Sequence, residues 1–170
     1  MRRLGAALAL LLLSACAQLP PPPPQSADAA WTGKLGYRLD AADGERAQAG
    51  SASFELLGGP EQGEFQLNSP LGTTLASARW SPQGLSLFDG QLTSAYADLS
   101  SLGAALGERL GGTPIPLAAL FDWLQGRPWA QAPHEVLAEG SFVQMGWQVE
   151  RQGQRLRLRH QRLTLTLITS

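Results

Sequence analysis

Cysteine is almost missing from this chain. Its 170 residues hold one, with only two histidines beside it. Neither a disulfide framework nor a protein zinc cage can be assembled from that inventory within one chain. Charge is scarce too, at 16% of residues, and nearly balanced at −1. No basic field argues for nucleic acid, which is therefore not an expected partner. Catalytic signatures are absent as well: there is no Gly-x-Ser-x-Gly elbow, no His-Glu-x-x-His pair and no phosphate-cradling loop. His134 and His160 stand in polar or basic surroundings with no nucleophile motif near them, and Glu55, Glu61 and Glu64 fall at strand ends or turns. The expectation is a protein that is not an enzyme and uses no metal or cofactor. No apolar run reaches the roughly 20 residues that span a bilayer as a helix.

What is present is apolar material for one core, 44% of residues, cut by 19 glycines and 12 prolines into short segments. The first segment lies outside that core. Arg2 and Arg3 precede an apolar run, Leu4 to Leu13, followed by the small residues Ser14 and Ala15. This is the layout of a secretory signal peptide over residues 1–15. Leu13-Ser14-Ala15-Cys16 resembles the bacterial lipobox, which implies acyl chains on Cys16 as the first mature residue. Several chains anchor a protein stably where one does so only marginally. Ala17, standing where an Asp is absent, resembles the outer-membrane sorting class. Residues 16–30 then read as a tether, because Pro20 to Pro24 favour extended polyproline II. With Arg2 and Arg3 removed, eleven basic side chains face fourteen acidic ones.

From Trp31 the pattern has period two. Trp31, Gly33, Leu35, Tyr37 and Leu39 share one face, and further strands are predicted over 47–57, 64–68, 73–80 and 85–88. Asp43-Gly44 marks a polar turn, and Asp89-Gly90 predicts a type I′ hairpin into Gln91 to Tyr96. The period then turns helical. Leu99, Leu102, Leu106 and Leu110 form a stripe that Asp98 caps and Gly111-Gly112 stops. Pro114-Ile115-Pro116 predicts a second helix with proline in its first turn, carrying Leu117, Leu120, Phe121, Trp123 and Leu124 and ended by Gly126 and Pro128. Strands return over 142–150, 155–159 and 162–168. The order indicates an α+β domain over 31–170, a curved sheet with helices in its concave face. The second helix is either deeply buried or one wall of an apolar cavity. Arg151, Arg155, Arg157, Arg159 and Arg162 are the densest charge cluster, and the middle three alternate with Leu156 and Leu158. They read as a solvated sheet face, with an acidic partner or lipid headgroups as the two other readings.

Four strings carry a resemblance: Trp31 to Arg38 (WTGKLGYR), Ser69 to Thr73 (SPLGT), Pro114 to Pro128 (PIPLAALFDWLQGRP) and Gln144 to Val149 (QMGWQV). In this order, behind a lipobox, the chain is similar to the LolB family of outer-membrane lipoproteins. One departure is Arg151, which stands where that family's last string usually continues with Tyr. The resemblance implies an incomplete antiparallel β-barrel with short helices lidding an apolar cavity. It implies a monomer at the periplasmic face of the outer membrane that accepts acylated lipoproteins from the periplasmic carrier LolA and inserts them into the bilayer. Its partners are then LolA, the acyl chains of client lipoproteins and the outer-membrane bilayer. The family's protruding loop matches Pro70, Leu71 and Gly72, with Leu71 at the tip. Leu71 as ordinary core is the competing reading. Candidates for the cavity lining are Leu35, Tyr37, Phe54, Phe65, Leu67, Trp80, Leu120, Phe121 and Trp123, of which some must be plain core. A structural or accessory lipoprotein of an envelope assembly machine explains anchor, tether and sheet equally well, but leaves the apolar loop without a purpose.

Overall fold

The computed structural model describes residues 30–170 apart from 43, 109 and 111. The signal peptide, Cys16, the proline tether, and the Asp43 and Gly111 turn positions therefore lie outside the described residues. Six strands come first: β1 (Ala30–Leu39), β2 (Gln48–Gly58), β3 (Gly63–Asn68), β4 (Thr74–Ser81), β5 (Gly84–Phe88) and β6 (Thr93–Tyr96). Two helices follow, α1 (Leu99–Glu108) and α2 (Leu117–Trp123). Five strands complete the domain: β7 (His134–Ala138), β8 (Ser141–Gln144), β9 (Trp147–Gln152), β10 (Arg155–His160) and β11 (Leu163–Thr169). All eleven form one antiparallel sheet in the order β6-β5-β4-β3-β2-β1-β11-β10-β9-β8-β7. The first and last strands of the domain thus meet at its centre, with Leu35 opposite Leu167 and Tyr37 opposite Leu165. The expected α+β architecture, an open curved sheet holding two short helices, is the one found.

Alternation decides which face is wet. Leu163, Leu165 and Leu167 of β11 and Leu156 and Leu158 of β10 are buried, while Arg155, Arg157 and Arg159 are exposed. Every residue placed directly opposite in an antiparallel ladder shares a face, so the inward rows of β1, β11 and β10 merge into one apolar surface. The helices cover it with Leu102, Leu106, Leu117, Leu120, Phe121 and Trp123, all buried. The Asp98 carboxylate accepts from the Ser101 amide at 2.7 Å, and the Ser101 hydroxyl accepts in return from the Asp98 amide at 3.3 Å. This is the expected cap of α1. The bonds to Ser101 hold the Asp98 carboxyl below its ordinary value of 3.8.

Four local expectations are corrected. Asp89-Gly90 does not form a two-residue turn: the loop runs Asp89 to Leu92 below the Phe88–Thr93 pair. The Asp89 carboxylate accepts from the amides of Gln91 and Leu92, at 3.0 and 2.9 Å, and so closes a wider loop. α2 begins at Leu117, with Pro116 at its N-cap, so neither proline lies in the first turn. The predicted strand 142–150 is two strands. Met145 and Gly146 both have positive φ, 50° and 77°, and turn the chain between them. Methionine carries no turn signature, which hides this hairpin in the sequence. Finally β7 is an additional edge strand, exposed at every position. With no face to bury it shows no alternation to read.

Candidate functional site

Between the concave face and the helices lies an apolar cavity of about 230 Å³. Its closed side is built by Leu158, Leu165 and Leu167 from the centre of the sheet, by Phe65 and Ala76, and by Leu120 from α2. Its mouth is marked by the lining residues that solvent reaches: Tyr37, Ser51, Leu67, Leu75 and Leu110. No charged side chain is among the lining residues. Such a cavity offers an alkyl chain removal from water, worth about 0.8 kcal/mol for each CH₂ group buried, and offers a polar ligand almost nothing.

Of the candidate lining residues, Leu35, Tyr37, Phe65, Leu67 and Leu120 face the cavity. Phe54, Trp80, Phe121 and Trp123 are buried elsewhere in the core. Trp80 and Phe121 meet edge to face at 6.2 Å, and the Trp80 indole donates to the Gly59 carbonyl at 2.8 Å, plugging the end of the sheet at the β2–β3 turn. Trp123 is committed to Gln144, which is 1% exposed. The Gln144 carbonyl oxygen accepts from the Trp123 indole at 2.8 Å and the Trp129 amide at 2.9 Å. Its amide nitrogen donates to the Trp129 and Ala132 carbonyls, both at 2.7 Å. All four bonds of that amide are made, so α2 and the 129–132 loop are fastened to β8.

Other lining residues were not among the candidates: Leu106, Leu110 and Ile115 from the helical segment, and Leu158, Leu165 and Leu167 from the last strands. The α1 stripe was a usable signal for the first two. The β11 leucines become cavity wall only because β11 pairs with β1, which local pattern does not reveal. Gly50 was missed as well. It stands opposite Tyr37, and a Cβ there would lie 2.5 Å from the Tyr37 ring. The ring therefore lies across a bare backbone at the mouth.

The β3–β4 connection is a tight, well-bonded turn. The Ser69 amide donates to the Thr73 carbonyl at 2.7 Å, the Gly72 amide donates to the Ser69 carbonyl at 2.9 Å, and the Ser69 hydroxyl accepts from Leu71 and Thr73. Gly72 has φ +84°, a conformation that favours glycine. Leu71 at the tip is 95% exposed, so it is not core. This turn lies at the same end of the sheet as the tips of the β1–β2, β5–β6 and β10–β11 connections, opposite to Ala30. Leu92, in the β5–β6 loop at that end, is 71% exposed. The Arg151 departure has a local partner: its guanidinium carbon sits 5.9 Å from the centre of the Trp31 ring. Among the described residues no cluster of three His, Cys, Asp or Glu is placed to hold a metal.

The family profile described as "Outer membrane lipoprotein LolB" matches residues 29–167. A protein of Neisseria meningitidis named outer-membrane lipoprotein LolB is 31% identical over 147 residues, covering 84% of this chain and 72% of its own. One of Bordetella petrii with the same name is 33% identical over 145 residues, covering 81% and 71%. A third, of Chromobacterium violaceum, is 34% identical over 99 residues, covering 58% and 52%.

Proposed function

This chain belongs to the LolB family of outer membrane lipoproteins, and from that premise we propose that it is an outer-membrane, periplasm-facing lipoprotein that accepts acylated proteins from a LolA-type carrier and passes them into the bilayer. Cys16 is the anchor in this reading, and residues 16–30 are the tether. The observation that carries the reading is the pairing of an apolar cavity with a leucine standing 95% exposed on a hydrogen-bonded turn. A solvent-facing leucine contributes nothing to folding where it stands. Inserted at a bilayer boundary it gains roughly 1.5–3 kcal/mol, too little to anchor a protein but enough to direct where a loop touches.

Transfer needs no nucleotide if affinity rises from carrier to cavity to bilayer. The cavity then only has to hold an acyl chain better than the carrier does, and the Leu71 turn has to bring its mouth to the membrane. A scaffold role in an assembly machine leaves both features without a purpose. The test is a two-step assay on Leu71→Glu, following acceptance of an acylated client from the carrier and then its delivery to vesicles. A charge at the tip is unfavourable in lipid by a few kcal/mol. The expected result is an unchanged melting temperature, normal acceptance, normal displacement of a fluorescent acyl probe, and failed delivery. Delivery at the wild-type rate rejects the insertion role. A wild-type protein that binds no acyl probe rejects the cavity.

A further inference from the structure

The geometry points to a second lipid-directed site, on the convex face of the sheet: a basic groove that takes the phosphates of anionic phospholipid headgroups. The inference rests on the reading above, in which this domain meets a bilayer. Register builds the groove. Across β1, β11 and β10 three outward rows line up: Lys34, Ile168 and Arg155; then Gly36, Thr166 and Arg157; then Arg38, Thr164 and Arg159. Basic side chains thus stand on the two flanking strands, about 10 Å apart. The central strand contributes two threonines and β1 a glycine, with no bulk between the walls. The result is a groove of about 460 Å³, lined by Gly36, Tyr37, Arg38, Asp40, Arg157, Arg159, Thr164 and Thr166, so that three guanidinium groups face one carboxylate.

Its charge is incompletely neutralised. Arg38 pairs with Asp40 at 2.8 Å and Arg157 lies 3.9 Å from Glu150. Lys34, Arg155 and Arg159 have no ion-pair partner among the described residues. On a chain whose net charge is −1, these three rows gather five basic side chains, Lys34, Arg38, Arg155, Arg157 and Arg159. The outward positions of β2 to β4 present Glu55 and Glu64 instead, with Arg79 paired to Glu64 at 3.0 Å.

Arginine forks bind phosphate oxygens two at a time, and threonine hydroxyls add donors from the floor. Two observations favour a headgroup layer over an acidic protein. Between the arginines the floor is Gly36, Thr164 and Thr166, and the outward rows hold a single exposed aliphatic, Ile168, at one end, not the central buried cluster that a protein docking surface needs. Arg38 and Arg159 stand next to the last residues of β1 and β10, at the end of the sheet where Leu71 and Leu92 project. Apolar tips at one end with guanidinium groups behind them match the layering of a bilayer, hydrocarbon beneath phosphate. The groove would lean the domain against the membrane and so bring the cavity mouth to it.

The test uses the full mature chain with Cys16→Ser, so that no lipid anchor masks the contact, and the variant Arg38→Gln/Arg157→Gln/Arg159→Gln on the same background. Sedimentation is measured with phosphatidylcholine vesicles, with and without phosphatidylglycerol. The expected result is binding that requires phosphatidylglycerol, weakens with salt, and falls on the order of tenfold to a hundredfold in the triple variant. Melting temperature and acyl-probe binding should not change. Equal binding by the triple variant overturns the site. Loss of vesicle binding to millimolar inorganic phosphate overturns the assignment in favour of a free-anion site. Unchanged vesicle binding with lost uptake from the carrier overturns it in favour of an acidic protein surface. Each of these leaves the cavity intact, whereas loss of acyl-probe binding by the wild type removes the underlying reading.

Discussion

Gln144 shows how much a single buried residue can organise. It opens one of the strings that carry the family resemblance, but no local pattern marks it as buried, and its amide closes four hydrogen bonds that bind Trp123, Trp129 and Ala132 into one unit. Gln144→Leu leaves those partners unpaired in the interior and is expected to destabilise the domain by at least about 3 kcal/mol in urea unfolding. Gln144→Glu keeps both acceptor contacts but sets a carboxylate against two carbonyls. Its deficit relative to the wild type should shrink as the pH is lowered, because the protonated acid regains one donor. Unfolding curves over a pH series check both. Of the site residues, those on regular strands near the start of the chain were legible: Leu35, Tyr37, Phe65 and Leu67 alternate cleanly and face the cavity. Phe54 and Trp80 alternate as cleanly and are core, because period reports which face a residue is on and not whether that face is filled. Leu71 was legible from its Pro-Leu-Gly setting together with the family resemblance.

Among the elements, α1 carries a feature that its leucine stripe conceals. Gly103 and Gly107, one helical turn apart, are buried, and a Cβ on them would lie 2.0 Å from the Ile115 carbonyl oxygen and 1.9 Å from that of Thr113. The Ile115 amide donates to the Gly103 carbonyl at 3.0 Å. The 113–115 segment therefore runs backbone to backbone along the helix, and this contact sets where α2 begins. Gly107→Ala is expected to cost about 1–3 kcal/mol as the segment is pushed off. Ile115 lines the cavity, so acyl-probe affinity should fall with the melting temperature. An unchanged melting temperature would mean that the segment has room to shift. The strand count was legible only where one face is buried and the turns carry Gly, Asp or Pro. The Met145-Gly146 turn opens on a residue with no turn signature and β7 is exposed throughout, and both escaped. The pairing of β1 with β11 joins residues more than a hundred positions apart, beyond the reach of any local signal.

For the whole molecule, the decisive arrangement is that Ala30 and Leu71 lie at opposite ends of the sheet. Ala30 pairs with Leu57 beside the β2–β3 turn, whereas Leu71 caps the far end. A ten-residue β1 is about 33 Å long. Residues 17–29 can reach at most about 45 Å when fully extended, and without Pro20 to Pro24 only about 28 Å. Deleting the five prolines is therefore expected to leave anchoring and cargo acceptance intact and to abolish delivery into the anchored protein's own bilayer. Delivery to added vesicles should survive, which separates reach from chemistry. The same view of the whole exposes another property. A closed barrel has its radius fixed by strand number and stagger. This sheet is an arc of eleven strands with two unjoined edges, β6 and β7, and nothing in its ladder fixes the radius. A few degrees of extra coil at each strand pair widens the bore without breaking a hydrogen bond. The domain is built as an open clip and not as a cup: no ring closure limits how wide its two edges can be drawn apart.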